Sequence, residues 1–336
     1  MLTLQDCIEL SDLSEEESAA QDAAHRFARD VMRPIGRELD RLPAEQAYLP
    51  GSPFWEFHTE IVKMGFGPDG LIGLPPAAAA RFEGLIVQEL AWGDAGLATS
   101  AGAGGMPLFM AKMSGQQELI DLCEGKLGCW CATQPDRGSD GLTLYADERF
   151  GGAKGNKGNL QARFVGDDII LNGQSSAWVS NGAVAQVALV DIVADYGEGY
   201  WDKDGNTYGC NAIVPLDIAG VSKGKPLEKL GKRPLPQGEI FFDNVRVEGQ
   251  VVDLSHAFHA GVGDELDEHV VAPAKAGGRV AYGEGLDVFD FHGCLLLEME
   301  GEMVVRSIKA LGPMPGRTNA WPWGSCKGSV VCLAQP

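Results

Sequence analysis

The chain has 336 residues, 45% hydrophobic and 22% charged, with a formal net charge of −20. It carries enough apolar surface to exclude a wholly disordered chain, and no run of roughly 18 uncharged apolar residues that could span a bilayer. A field of that sign repels phosphate backbones and anionic lipid, which disfavours nucleic acid and membrane surfaces as partners. The opening MLTLQDCIEL lacks the basic and apolar regions of a secretory signal. The eight cysteines are scattered, with no C-x-x-C pair, which favours reduced thiols in a cytoplasmic protein over a disulfide framework. Cys129 and Cys131, two apart, would share one face of a strand.

The first 126 residues read as a helical domain. Ser14 and Glu17 have the spacing of a capping box, and Ala20, Ala24, Phe27 and Val31 follow at helical spacing until Pro34, which ends or kinks that helix. A second helix carries Phe54, Phe57, Ile61 and Met64, with Gly65 as its C-cap. A third runs from Pro76 through Phe82, Leu85, Ile86, Glu89 and Leu90 to Gly93. The stretch from Leu97 to Gly115 is rich in small residues. With no strand before Gly102, Gly104 and Gly105, it suits a close helix–helix contact better than a nucleotide loop.

The character changes near Leu127. Residues 127–252 hold short β-rich runs divided by turn residues: 127–133, 163–165 and 169–171 around the turn Gly166-Asp167-Asp168, then 178–180, 184–193, 210–214 and 239–247. The order is α+β: a helical domain, then an all-β barrel domain, unlike a doubly wound sheet. Residues 253–336 form a divergent or truncated C-terminal region in which only 295–310 reads as a helix.

Two segments concentrate polar and turn residues. Trp130-Cys131-Ala132-Thr133-Gln134-Pro135-Asp136-Arg137-Gly138-Ser139-Asp140 reads as a strand that ends in a loop of exposed N–H groups, able to hold a phosphate or the polar edge of a planar ring. Gly173-Gln174-Ser175-Ser176-Ala177-Trp178-Val179-Ser180-Asn181-Gly182 places an aromatic run between two turns. Together they resemble the acyl-CoA dehydrogenase family, whose β-domain carries (Y/W)-x-x-T-E-P-x-x-G-S-D and then G-x-K-x-W-(I/V)-(S/T)-N-(G/A). A third match is Lys229-Leu230-Gly231 followed by Glu239-Ile240-Phe241-Phe242-Asp243-Asn244-Val245-Arg246-Val247. The resemblance spans residues 14–250 or so.

The resemblance implies an FAD flavoprotein that oxidises an acyl-CoA thioester to its trans-2-enoyl form and passes electrons to an electron-transfer flavoprotein or similar acceptor. It implies that Thr133 and Ser180 bond the polar edge of the flavin and that Trp178 packs on the ring. Backbone groups of Trp130, Cys131, Ala132, Gly138, Ser139 and Val179 would also touch the cofactor, and Ser139 would approach the acyl-CoA. Donors near the ring nitrogens and carbonyls raise a flavin's electron affinity. A homo-oligomer is implied if a helical bundle is present. A monooxygenase or oxidase on the same fold, and a truncated non-catalytic member, are the alternatives.

Gln134 departs from the family's Glu, and Arg137 stands where a small residue is common. The run from Phe150 to Asn159 reads as a flexible basic surface loop. The family's general base is a buried Glu in a C-terminal bundle, and 253–336 offers no equivalent; Glu284, in Tyr282-Gly283-Glu284, falls too soon after the β-domain, and Glu298, Glu300 and Glu302 read as solvated helix charges. Asp253, His256, His259 and His269 match no metal-site spacing.

Overall fold

The computed structural model describes residues 13–138, 156–166, 168–201, 205, 207–248, 286–291 and 294–299. Helix α1 (Glu15–Phe27) begins as its sequence dictates. Ser14 Oγ accepts from Glu17 N at 3.1 Å, and Ser14 N donates to Glu17 Oε2 at 2.9 Å. Glu17 also holds Arg81 by two bonds, 2.6 and 3.0 Å long. The chain then widens into a π-helical turn (Ala28–Met32) and continues as α2 (Arg33–Leu39), with Pro34 in its first turn. Pro34 therefore does not end the helix. Its ring would meet the carbonyl of residue i−4 in an uninterrupted α-helix, and the wider turn just before it resets the hydrogen-bond pattern.

After α3 (Ala44–Ala47), α4 (Pro53–Met64) buries Phe54, Phe57 and Ile61, leaves Met64 exposed, and stops at Gly65 with φ 67°. Asp94 divides α5 (Pro76–Gly93) from α6 (Ala95–Ser114) and caps the latter, accepting from Leu97 N at 2.8 Å. A short α7 (Gln117–Cys123) leads into the β region. The core of the helical part joins Phe27, Met32, Leu39, Phe54, Phe57 and Leu90, and each such side chain fully withdrawn from water contributes roughly 1.5–3 kcal/mol before entropy is counted.

The β region is one curled, mixed sheet of seven strands: β1 (Gly128–Cys131), β2 (Gln161–Val165), β3 (Asp168–Gln174), β4 (Val187–Asp195), β5 (Gly209–Pro215), β6 (Val221–Lys223) and β7 (Ile240–Glu248). β4 is the hub. One side pairs antiparallel with all of β5; the other pairs parallel with β1 near its start and with β2 near its end. The sheet continues β2–β3–β7–β6, all antiparallel, with β2 and β3 closing at Val165↔Asp168 as the Gly166 turn predicts. Among the described residues no ladder joins β5 to β6, so the sheet is a half-barrel. Helices first, β-sheet second is the order the sequence predicts.

Two sequence expectations need correction. Residues 178–180 are a turn with an isolated bridge, Ser180↔Gln237, and not a strand. The Ser176 hydroxyl accepts from Trp178 N two residues on, a local bond that competes with a regular ladder. In the tail, Leu286–Phe291 pairs antiparallel with Cys294–Met299, so 295–299 is strand where a helix was expected. Residues 300–310 lie outside the described residues.

The small residues of α6 serve two contacts: Ala98 and Ala101 pack against the helical core as expected, and Gly104 closely approaches the start of β1. A Cβ on Gly104 would sit 2.9 Å from Leu127 Cδ1, and one on Gly128 would sit 2.5 Å from the Gly104 carbonyl oxygen. Arg233 fastens the two halves again. Its Nε donates to Asp40 O and an Nη to Leu42 O, both at 2.9 Å, while its own carbonyl accepts from the Tyr48 hydroxyl.

Candidate functional site

β1 runs out at Cys131, and Ala132-Thr133 leads into a tight turn closed by Gln134 N donating to Arg137 O at 2.8 Å. The second polar segment leaves β3 and lies directly alongside. Ser176 N donates to Thr133 O at 2.8 Å, and the Thr133 and Ser176 hydroxyls share a hydrogen bond of 2.7 Å. Segments about 40 residues apart in sequence are thus joined at one place. The same turn carries Trp178, whose backbone N–H reaches Ser176 Oγ at 3.3 Å and which is 62% exposed. An exposed tryptophan at a hydrogen-bonded turn is not the core aromatic that a lone Trp usually is.

The remaining expected residues divide by where their side chains go. Trp130 donates from Nε1 to Asp191 Oδ2 at 2.9 Å and packs beside α6 and α7. Cys131 is buried next to Cys129 in the sheet core, as the two-residue spacing predicts. A hydrogen bond with Cys129, and then burial, push its pKa well above the thiol range, so it stays neutral and unreactive. Val179 is buried in the same core, and Ser180 is half-buried. For Trp130, Cys131 and Val179, therefore, backbone groups are what a ligand would meet. Gly138 is exposed. Ser139 lies outside the described residues, as do Glu284, Glu300, Glu302 and the Asp253–His269 set.

Gln134 is buried, and its Oε1 accepts from Leu160 N at 2.7 Å. That is an acceptor's task, which Gln performs as well as the Glu usual in the motif. The end of the predicted surface loop is anchored rather than free. Asn156 Nδ2 donates to Asp136 O at 3.0 Å, and Lys157 Nζ lies 4.3 Å from the Tyr200 ring centre. Cys123, Cys129, Cys131 and Cys210 are free. Among the described residues no cluster of three metal-ligating side chains occurs, and no helix is long and apolar enough to cross a membrane.

Sequence reasoning gave no role to Ser176, Asn181, Lys229 or Gln237, although all but Gln237 stand inside the motif segments. Lys229 Nζ donates to Leu235 O at 2.6 Å and to Gln237 Oε1 at 3.0 Å, and Gln237 Nε2 donates to Trp178 O at 2.8 Å. Burial, and then nearby Lys232, lower the Lys229 pKa to about 8. A separate open cleft of about 350 Å³ lies between α2 and Lys232–Pro234, lined by Gly36, Asp40, Asp94 and Arg233 among others; it shares no residue with the Thr133–Trp178 site.

No protein-family model matches the chain. It is similar to a probable acyl-CoA dehydrogenase of Bacillus subtilis, 27% identical over 252 residues, covering 70% of this chain and 57% of that protein. It is similar also to the glutaryl-CoA dehydrogenase of Desulfococcus multivorans, 27% identical over 247 residues and covering 70% and 56%. Among solved structures, glutaryl-CoA dehydrogenase from Mycobacterium smegmatis superposes with a TM-score of 0.55 at 24% identity, over 74% of this chain and 58% of that one. A structure of a glutaryl-CoA dehydrogenase from the same organism in complex with FADH2 gives 0.52 at 25%, with the same coverage. The chain spans a little over half the length of these relatives.

Proposed function

We propose, from the premise that this chain is a distant homologue of the acyl-CoA dehydrogenase family over about 70% of its length, that it is an FAD-binding protein of acyl-CoA dehydrogenase type. The carrying observation is the joining of Thr133 to Ser176 at 2.7 Å beside a Trp178 that is 62% exposed. The donor set fits a flavin. Trp178 is 62% exposed, the Thr133 and Ser176 hydroxyls meet two residues before it, and Ser180 follows it in the same turn. Thr133 and Ser180 would bond the polar edge of the ring, and Trp178 would cover its apolar face and exclude water there. FAD, when bound, supplies a two-electron acceptor for α,β-dehydrogenation of an acyl-CoA thioester to the trans-2-enoyl product. An electron-transfer flavoprotein or similar carrier would then take the electrons.

Removal of the α-proton needs a carboxylate, and none stands at this site among the described residues that would serve. A second reading therefore has a specific observation behind it. With no such carboxylate beside the Trp178 turn among the described residues, the chain on this reading binds flavin without turning over acyl-CoA. A visible spectrum of the purified chain with added FAD, before and after anaerobic addition of an acyl-CoA series, separates the readings. Bleaching by one chain length supports the dehydrogenase. Bound flavin that never bleaches supports the second reading, and a chain that retains no flavin overturns both.

A further inference from the structure

We propose that Lys229 and Gln237 are positioning residues that hold the Trp178 turn in its outward-facing form. This rests on the reading of that turn as a flavin platform. Trp178 gives its own turn little anchorage, because its indole is mostly in solvent. What fixes the peptide is polar: Trp178 N–H to Ser176 Oγ at 3.3 Å, and Trp178 O from Gln237 Nε2 at 2.8 Å. On either side, Val179 O accepts from Gly182 N at 3.0 Å and Gly238 N at 3.4 Å, and Ser180 bridges to Gln237. Of these, the Gln237 amide is the bond that reaches the Trp178 carbonyl itself.

The direction of that amide is determined by chemistry. A lysine ammonium has three protons and no lone pair, so the atom facing Lys229 Nζ must be Oε1. The other end of the amide, Nε2, is then the one presented to Trp178 O, and it can only donate. Lys229 in turn is held by Leu235 O at 2.6 Å. The chain Leu235 O–Lys229–Gln237–Trp178 O thus runs from a buried loop to the peptide that carries the indole. Loss of its middle member frees the carbonyl to rotate and swings the indole out of line.

The sharpest variant is Gln237→Glu. It keeps an acceptor for Lys229, and so the fold, while replacing the donor to Trp178 O with an oxygen that repels it. Lys229→Met and Lys229→Arg test the upstream link, since Arg can still donate to both partners. Two readouts are taken on the full-length chain: FAD affinity by fluorescence titration, and hydrogen–deuterium exchange of the peptide spanning 176–182. In Gln237→Glu and Lys229→Met, the FAD dissociation constant is expected to rise about tenfold and the 178–182 amides to exchange faster, while Lys229→Arg recovers most of both. Faster exchange with unchanged FAD affinity would reduce the contact to a structural one and overturn the proposal. Unchanged values of both overturn it as well. Wild-type protein that binds no FAD overturns the functional reading itself and takes this inference with it, a failure read before any variant is made.

Discussion

Asn181 accepts the Ser100 hydroxyl proton on its Oδ1 at 2.6 Å, across the boundary between α6 and the β-sheet. Its Nδ2 donates to Ser100 O at 2.8 Å and to Gly128 O at 3.1 Å, so one buried amide satisfies three groups from two halves of the molecule. Asn is also suited to the left-handed backbone here, φ 65°. Asn181→Gly keeps that backbone and removes the three bonds. It should cost about 2–4 kcal/mol, because three buried polar groups each lose a partner. Urea unfolding measures it, and a loss under about 1 kcal/mol would show that the amide is not the bolt.

His58 extends this chain, its Nε2 lying 2.8 Å from Ser100 Oγ. Since Ser100 spends its one proton on Asn181, Nε2 must carry the hydrogen and donate. Burial lowers the His58 pKa to about 3, against a reference of 6.5. The unfolded chain therefore binds this proton more readily. The contribution of neutral His58 is fully present above about pH 6.5 and is lost as pH falls toward 3, with a limiting slope of about 1.4 kcal/mol per unit. The ring is not wholly sealed from solvent, which narrows the pH window over which that slope applies. Glu17, lowered to about 2 by Arg81 and then by Ser14 N, adds a separate loss between its reference of 4.5 and 2. Stability measured from pH 7 to 5 isolates the histidine. His58→Gln should flatten that limb, and an unchanged slope would assign it elsewhere.

Two glycines near this boundary should respond in opposite directions. A Cβ at Gly128 would meet Gly104 O at 2.5 Å and Pro107 Cδ at 2.6 Å, whereas at Gly102 nothing stands within 4 Å. Gly128→Ala must push β1 away from α6 and should cost about 1–3 kcal/mol. Gly102→Ala lies inside α6 and should stabilise by roughly 0.5–1 kcal/mol through reduced backbone entropy. The paired thermal midpoints test this; equal shifts would contradict the close approach.

Helices α1, α4 and α5 were legible because their caps and apolar spacing are local properties: Ser14 with Glu17, Gly65, and Pro76 through Gly93. Strands β4, β5 and β7 were legible as short apolar runs, but β6, only Val221–Lys223, is too short to leave a pattern. Pro34 marked a break in the α pattern, but not that the chain passes through a π turn and continues as helix. The motif segments pointed to one place, but not to how they meet there. Thr133 with Ser176, and Lys229 with Gln237 and Trp178, are contacts of tertiary structure, and no local period encodes them. Turn chemistry did hold a clue at 178–180: two serines before it and Asn181-Gly182 after it argue against a regular strand.

Trp178 offers the most direct test of the site. At 62% exposure its indole contributes little to folding, so Trp178→Ala should change stability by less than about 0.5 kcal/mol. If the indole is the apolar face of a flavin site, the same change should weaken FAD binding about tenfold, since stacking of a planar ring on an aromatic side chain is worth about 1–3 kcal/mol. Trp178→Phe retains a face to stack on and should recover much of the affinity. Urea midpoints and FAD fluorescence titration on the same preparations separate the two effects. A variant that unfolds easily yet binds FAD as before would make Trp178 a packing residue and remove the principal support for a flavin at this turn. Unchanged stability with weakened binding, restored in part by Phe, is the combination that a cofactor platform alone produces.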